Sequence, residues 1–318
     1  IIYMSKITII DFSRLIMLRN IEIPNSIIDI GNYAFSGCSN LSEITLPNSL
    51  ISIKDNAFSY CSSLETIDLP NSLTHIGENA FESCSKLQNI ILPNSIISLG
   101  KSMFKECSEL TNIQLPENIT KLEDGMFNDC IKLSNIDIPN SVINIGNYVF
   151  SDCINLSEIT LPSSLENIGE GTFYNCTSLT SVILPISVIS IGESAFEDCS
   201  NLTFINVNAL TPPVIDGTTF KNVGKAIPLT VPNESYNLYK THPFWGEFLH
   251  INSTQNIYNI ANSSVKVYVE NNKLKIQNPN NELVIIYNQE GKKIVETINL
   301  TKGIYIVKVG NYQTKINL

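Results

Sequence analysis

All eight cysteines of the chain stand 23 residues apart: Cys38, Cys61, Cys84, Cys107, Cys130, Cys153, Cys176 and Cys199. Proline keeps the same step from Pro24 to Pro185, phenylalanine from Phe12 to Phe196, and leucine from Leu18 to Leu202. Four columns in register over eight units define an internal repeat, which fixes the architecture before any residue is considered alone. One unit reads Ile44-x-Leu46-Pro47-Asn48-Ser49-Leu50-x-x-Ile53, then Ala57-Phe58-x-x-Cys61-x-x-Leu64.

The spacing predicts the local structure. Ile44 and Leu46 alternate with period two, as in a short strand with one buried face. Pro47 cannot donate to a ladder and ends that strand; Asn48 and Ser49 are turn residues; Leu50 to Ile53 form a second extended piece. Glycine follows in six of eight units (Gly31, Gly77, Gly100, Gly146, Gly169, Gly192), which predicts a tight or positive-φ corner, although Lys54 and Glu123 take the same place. Ala57, Phe58, Cys61 and Leu64 are spaced to share one face of a short helix or 3₁₀ turn. A single unit cannot bury its apolar face, but stacked units can, with parallel strands ~4.8 Å apart. Packed helices need ~8–10 Å between axes. The array is therefore expected to curve, with strands on the concave face, and to curve less if the helical side is only 3₁₀.

The ends depart from the pattern. Ile7, Phe12, Leu15 and Leu18 are in register, with Leu15 where cysteine belongs, which suggests a degenerate first unit acting as a cap. Ile205-x-Val207 opens a ninth unit, but Thr211-Pro212-Pro213 replaces its turn and Phe220 comes one residue late. Residues 205–251, with Tyr236, Tyr239 and Trp245, are expected to close the array. The solenoid is thus assigned to residues 1–251, a polar linker to 252–264, and a small antiparallel β-sandwich to 265–318. Its candidate strands are 265–269, 273–277, 283–287, 293–296, 304–309 and 314–318, with turns at 288–291 and 309–311. Charge shifts at the same boundary: residues 1–264 carry 12 Lys+Arg against 26 Asp+Glu, and residues 265–318 carry 8 Lys against 4 Glu.

The unit Ile-x-Leu-Pro-x-Ser-Leu-x-x-Ile-Gly-x-x-Ala-Phe-x-x-Cys-x-x-Leu resembles the BspA-type leucine-rich repeat over residues 5–220 or so. The segment Val231-Pro232…Tyr239-Lys240…Trp245-x-x-Phe248 resembles that family's closing cap. The tail carries Val284-Ile285-Ile286-Tyr287, Gly291-Lys292-Lys293-Ile294, Gly303-Ile304-Tyr305-Ile306-Val307-Lys308 and Lys315-Ile316-x-Leu318, and is similar to the C-terminal sorting domain of type IX secretion in Bacteroidetes. The resemblance implies an α/β leucine-rich-repeat solenoid of short parallel strands and short helical or 3₁₀ turns, secreted or held at the outer cell surface. It implies adhesion to extracellular matrix proteins or to bacterial surface proteins.

The residues limit what chemistry is available. The net charge of −10 argues against nucleic acid, which needs a basic stripe, and against anionic lipid. No stretch approaches the ~20 apolar residues of a membrane span. The start, Ile1 to Lys6, lacks the basic segment and apolar run of a signal peptide. The cysteine comb is read as a ladder of buried free thiols, because side chains pointing the same way do not bring Cβ atoms to the ~3.8 Å that disulfides prefer. His75, His242 and His250 have no metal-ligand spacing around them, and no catalytic residue, metal or cofactor is expected. The inward residues are all used in packing, so binding falls to the columns between them. One column holds Glu43, Thr66, Asn89, Asn112, Asn135, Glu158 and Ser181; its neighbour holds Thr45, Asp68, Gln114, Asp137 and Thr160, with apolar Ile91 and Ile183. A further column, Ile28, Ile51, Ile97, Ile143 and Ile189, is read as half-buried packing or, alternatively, as an exposed apolar stripe. The expected function is that of a monomeric adhesin-like binding protein; a passive spacer of the cell envelope is the alternative, and a hydrolase using facing carboxylates a remote one.

Overall fold

A computed structural model of the chain describes residues 12–253 and, beyond them, seven strand segments between 258 and 317. Ile7 and the turn residues 289–291 and 310–311 lie outside the described residues, as does most of 252–264. The chain divides into two units, Ile1–Asn252 and Ser253–Leu318.

In the first unit each 23-residue repeat makes one coil. Strand Glu43–Thr45 pairs in parallel with Asn20–Glu22, residue 23 steps to residue 23 steps, so Ile44 lies over Ile21. Ile44 is buried while Glu43 and Thr45 are exposed, as the alternation requires. Pro47 turns the chain, and the Leu50 N–H closes the turn on the Pro47 carbonyl at 3.1 Å. A second strand, Ser52–Ile53, then pairs in parallel with Asp29–Ile30 and His75–Ile76.

The third side of the coil is not helical. Amides alternate between two partners. Ala57, Ser59 and Cys61 bond back three residues within their own coil, whereas Asn56, Phe58 and Tyr60 donate to Glu78, Ala80 and Glu82 of the next coil at 2.7–2.8 Å. Left-handed residues recur twice per coil, as at Asn56 (φ 56) and Tyr60 (φ 61). The expectation of a helix or 3₁₀ turn is thereby corrected to a ladder of linked turns; the one α-helix among the described residues is Tyr236–Thr241, in the closing cap. The reason is spacing. Strands stack at ~4.8 Å and helices at ~8–10 Å, so a helical third side would need a strongly curved array. A turn ladder can advance with the strands: the phenylalanine rings from Phe12 to Phe220 stack offset with centroids 5.1–5.8 Å apart. The wedge expected to curve the array is correspondingly small.

The six corner glycines are corrected too. None has positive φ. Five of them let successive backbones approach, Gly31 having open space instead: a Cβ on Gly100 would lie 2.2 Å from the Gly77 carbonyl carbon, and one on Gly169 2.5 Å from that of Gly146. Between the three sides, the phenylalanines, leucines, isoleucines and cysteines form one continuous buried core.

At the first described coil, Phe12 is buried and continues the ring stack, whereas Leu15, in the cysteine position, is 46% exposed and does not fill the core as cysteine does. At the other end the strands Ser181–Leu184, Phe204–Val207, Pro228–Val231 and His250–Ser253 form one sheet in that order. Phe220, late by one residue, still stacks on Phe196 at 5.1 Å. Trp245 and Phe248 then meet it at 57° and 83°, so the parallel stack ends. The polar atoms of the two fully buried cap aromatics are satisfied: Trp245 Nε1 donates to Pro213 O at 2.9 Å and Tyr239 Oη to Ala209 O at 2.7 Å.

In the second unit, Tyr258–Asn259, Lys266–Glu270 and Lys273–Gln277 make a three-stranded antiparallel sheet. The first of these strands falls within the segment read as linker. Lys293–Ile294, Val284–Asn288, Ile304–Val309 and Tyr312–Asn317 make a four-stranded antiparallel sheet in that order.

Candidate functional site

The parallel register brings the polar columns onto one face. Asn89 lies beside Asn112 and Ile91 beside Gln114; single bridges join Thr66 to Asn89 and Asp137 to Thr160; Ser181 lies beside Phe204. Glu43, Thr45, Thr66, Asp68, Asn89, Asn112, Gln114, Asn135, Asp137, Glu158 and Thr160 are exposed, and Ser181 is half-buried. Ile91 interrupts the polar surface at 64% exposure and Ile183 at 53%. Each is held in place by its buried neighbours, Ile90 and Val182 among them.

This face is not one unbroken sheet. Among the described residues no backbone hydrogen bond joins Asn112–Gln114 to Asn135–Asp137. A shallow depression of about 350 Å³ straddles that step, lined by Asn89, Ile91, Asn112, Gln114, Asn135 and Asp137. A second, of about 490 Å³, shares Gln114 and Asp137 and extends to Glu117 and Asn140. Inside the first, Asn112 Nδ2 donates to Asn89 Oδ1 at 2.7 Å.

The opposite flank carries the isoleucine column. Ile28, Ile51, Ile97 and Ile189 are 44–74% exposed, and Ile143 is half-buried. The packing reading therefore holds for Ile143 only. Beside this column Asn167 Nδ2 donates to Asn144 Oδ1 and Ser190 Oγ to Asn167 Oδ1, both at 2.7 Å.

Two roles escaped the sequence reading. Each cysteine thiol donates to the carbonyl of the phenylalanine 26 residues earlier, as Cys107 to Phe81 at 3.1 Å and Cys199 to Phe173 at 3.1 Å. Burial pushes all eight thiols up, Cys199 to about 12, so they are neither nucleophiles nor ready metal ligands. All eight are free. The serines after Pro-Asn do more than turn: Ser72 and Ser95 donate to the carbonyls of Leu50 and Leu73 in the preceding coil, both at 2.6 Å. The repeat spacing marks these positions but not where a hydroxyl or thiol proton points.

Among the described residues no three or more His, Cys, Asp or Glu side chains converge as a metal site, and no helix is long and apolar enough to cross a membrane. His75 is exposed, its Nδ1 2.7 Å from Thr74 Oγ1. His242 serves the cap: its Nδ1 accepts the N–H groups of Phe244 and Trp245 at 3.2 and 3.3 Å.

Comparison with known proteins follows the same lines. Residues 5–134 and 123–247 match the family described as BspA type leucine rich repeat region, in six copies. The structure is similar to that of a leucine-rich repeat protein from Bacteroides ovatus, with a TM-score of 0.67 and 29% identity over 76% of this chain and 62% of that one. The chain thus spans less than two thirds of that protein. A T. pallidum leucine-rich repeat protein shares 38% identity over 46% of this chain and 68% of its own, with a TM-score of 0.45. A leucine rich cell surface protein of Faecalibacterium prausnitzii shares 20% over 74% of this chain and 64% of its own, also with a TM-score of 0.45. A comparison with curated proteins gives no match.

Proposed function

The chain belongs to the BspA-type leucine-rich repeat family, and on that premise we propose that it is an adhesin-like binding protein, secreted or displayed on the outer cell surface. It binds partner molecules of host matrix or bacterial surfaces through the double column from Glu43 to Ser181. The observation that carries this reading is the division of labour within each unit. The phenylalanine, cysteine and leucine columns that recur from unit to unit are inside, and on the strand face the residues that differ from unit to unit are outside in fixed register. Such a face offers many weak contacts at set spacing, which is how repeat proteins hold extended partners.

The C-terminal strands fit a small sandwich that serves as an export and sorting tail, and the whole acts as a monomer. The binding role is tested by pull-down from a panel of matrix proteins and intact bacteria. Saturable binding is expected, weakened about tenfold by joint alanine substitution of Asp68, Gln114 and Asp137. If no surface binds saturably, or if removal of two whole units leaves the cellular phenotype intact, the passive spacer replaces this reading. The tail role is tested by expression without residues 253–318, which should leave the protein inside the cell that makes it.

A further inference from the structure

The strand ladder of the binding face is broken at several steps, and one of those breaks carries a depression. Among the described residues no backbone hydrogen bond joins Asn112–Gln114 to Asn135–Asp137 at this step, and what a ligand meets there is set by the exposed side chains. The surrounding side chains are of one chemical kind. Asn89 and Asn112 stand on paired strands, and Asn135 lines the same depression from the next coil, beside Gln114. A primary amide presents a donor and an acceptor side by side. The Asn112–Asn89 bond fixes the orientation of both amides and leaves the Asn89 Nδ2 hydrogens and the Asn112 Oδ1 without a protein partner among the described residues.

We infer that this seam is a subsite for an uncharged glycan chain lying across the coils, a reading that rests on the strand face being the binding face. Paired donors and acceptors at regular spacing complement vicinal hydroxyls, each of which both donates and accepts. Ile91, 64% exposed at the edge of the depression, offers the apolar contact that the C–H face of a sugar ring takes. Charge selects against the alternatives. Neither depression is lined by Lys, Arg or His, and both are edged by carboxylates, Asp137 and Glu117. A sulfated or phosphorylated ligand needs cationic forks and meets repulsion here. Protein anchors are large aromatic or arginine side chains seated in deep desolvated pockets, and these depressions are shallow and open.

The test is affinity electrophoresis of the full chain in gels holding dextran, mannan or laminarin, with heparin as the acidic polysaccharide. A glycoprotein rich in neutral glycans, before and after enzymatic deglycosylation, distinguishes protein-linked from free glycan as the source. Retardation by at least one neutral polysaccharide is expected. Joint alanine substitution of Asn89, Asn112 and Gln114 should weaken it at least tenfold, and Asn144→Ala with Asn167→Ala, on the other flank, should leave it unchanged. Asn112→Asp, which keeps the shape and removes the donor to Asn89, should weaken it about threefold and guards against a triple variant that fails to fold. No retardation by any neutral polysaccharide, retardation by heparin alone, or full retention by the triple variant overturns the inference. If the same three residues prove necessary for a protein partner while no glycan binds, the binding face stands and the glycan falls.

Discussion

At the scale of single residues, the cysteine is the most informative position in the repeat. It fills a small buried volume and donates its thiol proton to a phenylalanine carbonyl one coil back. Denatured, unreduced protein should titrate eight free thiols, while the folded protein at pH 8 should react with none over minutes; four disulfides would refute the ladder. Cys107→Ala is expected to cost about 1–2 kcal/mol through the lost S–H···O bond and the space left behind. Cys107→Ser, which keeps a donor, should recover part of that in a urea titration. Glycine has two separate uses that alanine scanning can resolve. Gly125 has φ +64, and its Cβ would meet only the movable Ser102 hydroxyl closely, at 2.8 Å, so Gly125→Ala should cost about 1–2 kcal/mol, chiefly of backbone strain. Gly100 has no such strain, but its Cβ would meet backbone at 2.2 Å, so Gly100→Ala should cost at least about 3 kcal/mol, the upper range for overpacking.

At the scale of elements, the closing cap decides whether the last coil is sealed. Trp245, fully buried, ends the ring stack, and Trp245→Ala should cost about 3–5 kcal/mol. Hydrogen exchange should then rise first in residues 204–231. His242 ties this cap to pH. Its Nδ1 accepts two backbone N–H groups, and burial holds its pKa below the ordinary histidine value. The unfolded chain therefore takes up the proton first. Stability is complete above about pH 6.5, declines as pH falls through that value, and levels off once the folded imidazole also protonates. His242→Asn, whose Oδ1 can accept the same bonds, should flatten this part of the pH profile of Tm.

At the scale of the whole molecule, the array is a one-dimensional stack in which each coil contacts its neighbours. Deleting residues 108–130, one whole unit, should leave a folded and cooperative array with a lower Tm, because every ladder rejoins in register. Deleting 109–130, one residue fewer, shifts the phenylalanine, cysteine and serine ladders past their partners and should lower Tm much further, as circular dichroism would show. Truncation after Asn252 should leave the first unit folded, since its core is closed by Tyr239, Trp245 and Phe248 before that point.

The sequence by itself determined the coil, its 23-residue length, the inward residues and the free thiols, because each repeated column must face a copy of itself, and only packing tolerates that. It also placed the polar columns on one face, since alternation about a buried isoleucine leaves no other side for Glu43 or Thr45. Only the tertiary structure decided the rest. Three- and four-residue spacing is shared by a helix and by a ladder of turns, and what chose the ladder was the distance between coils, which no single unit contains. The same distance turned five of the six corner glycines from conformational devices into points of close backbone approach, and exposed most of the isoleucine column. The seam beside Asn112 was invisible for the same reason: its residues obey the repeat, and the gap exists only between coils, where hydrogen bonds present at neighbouring steps are absent.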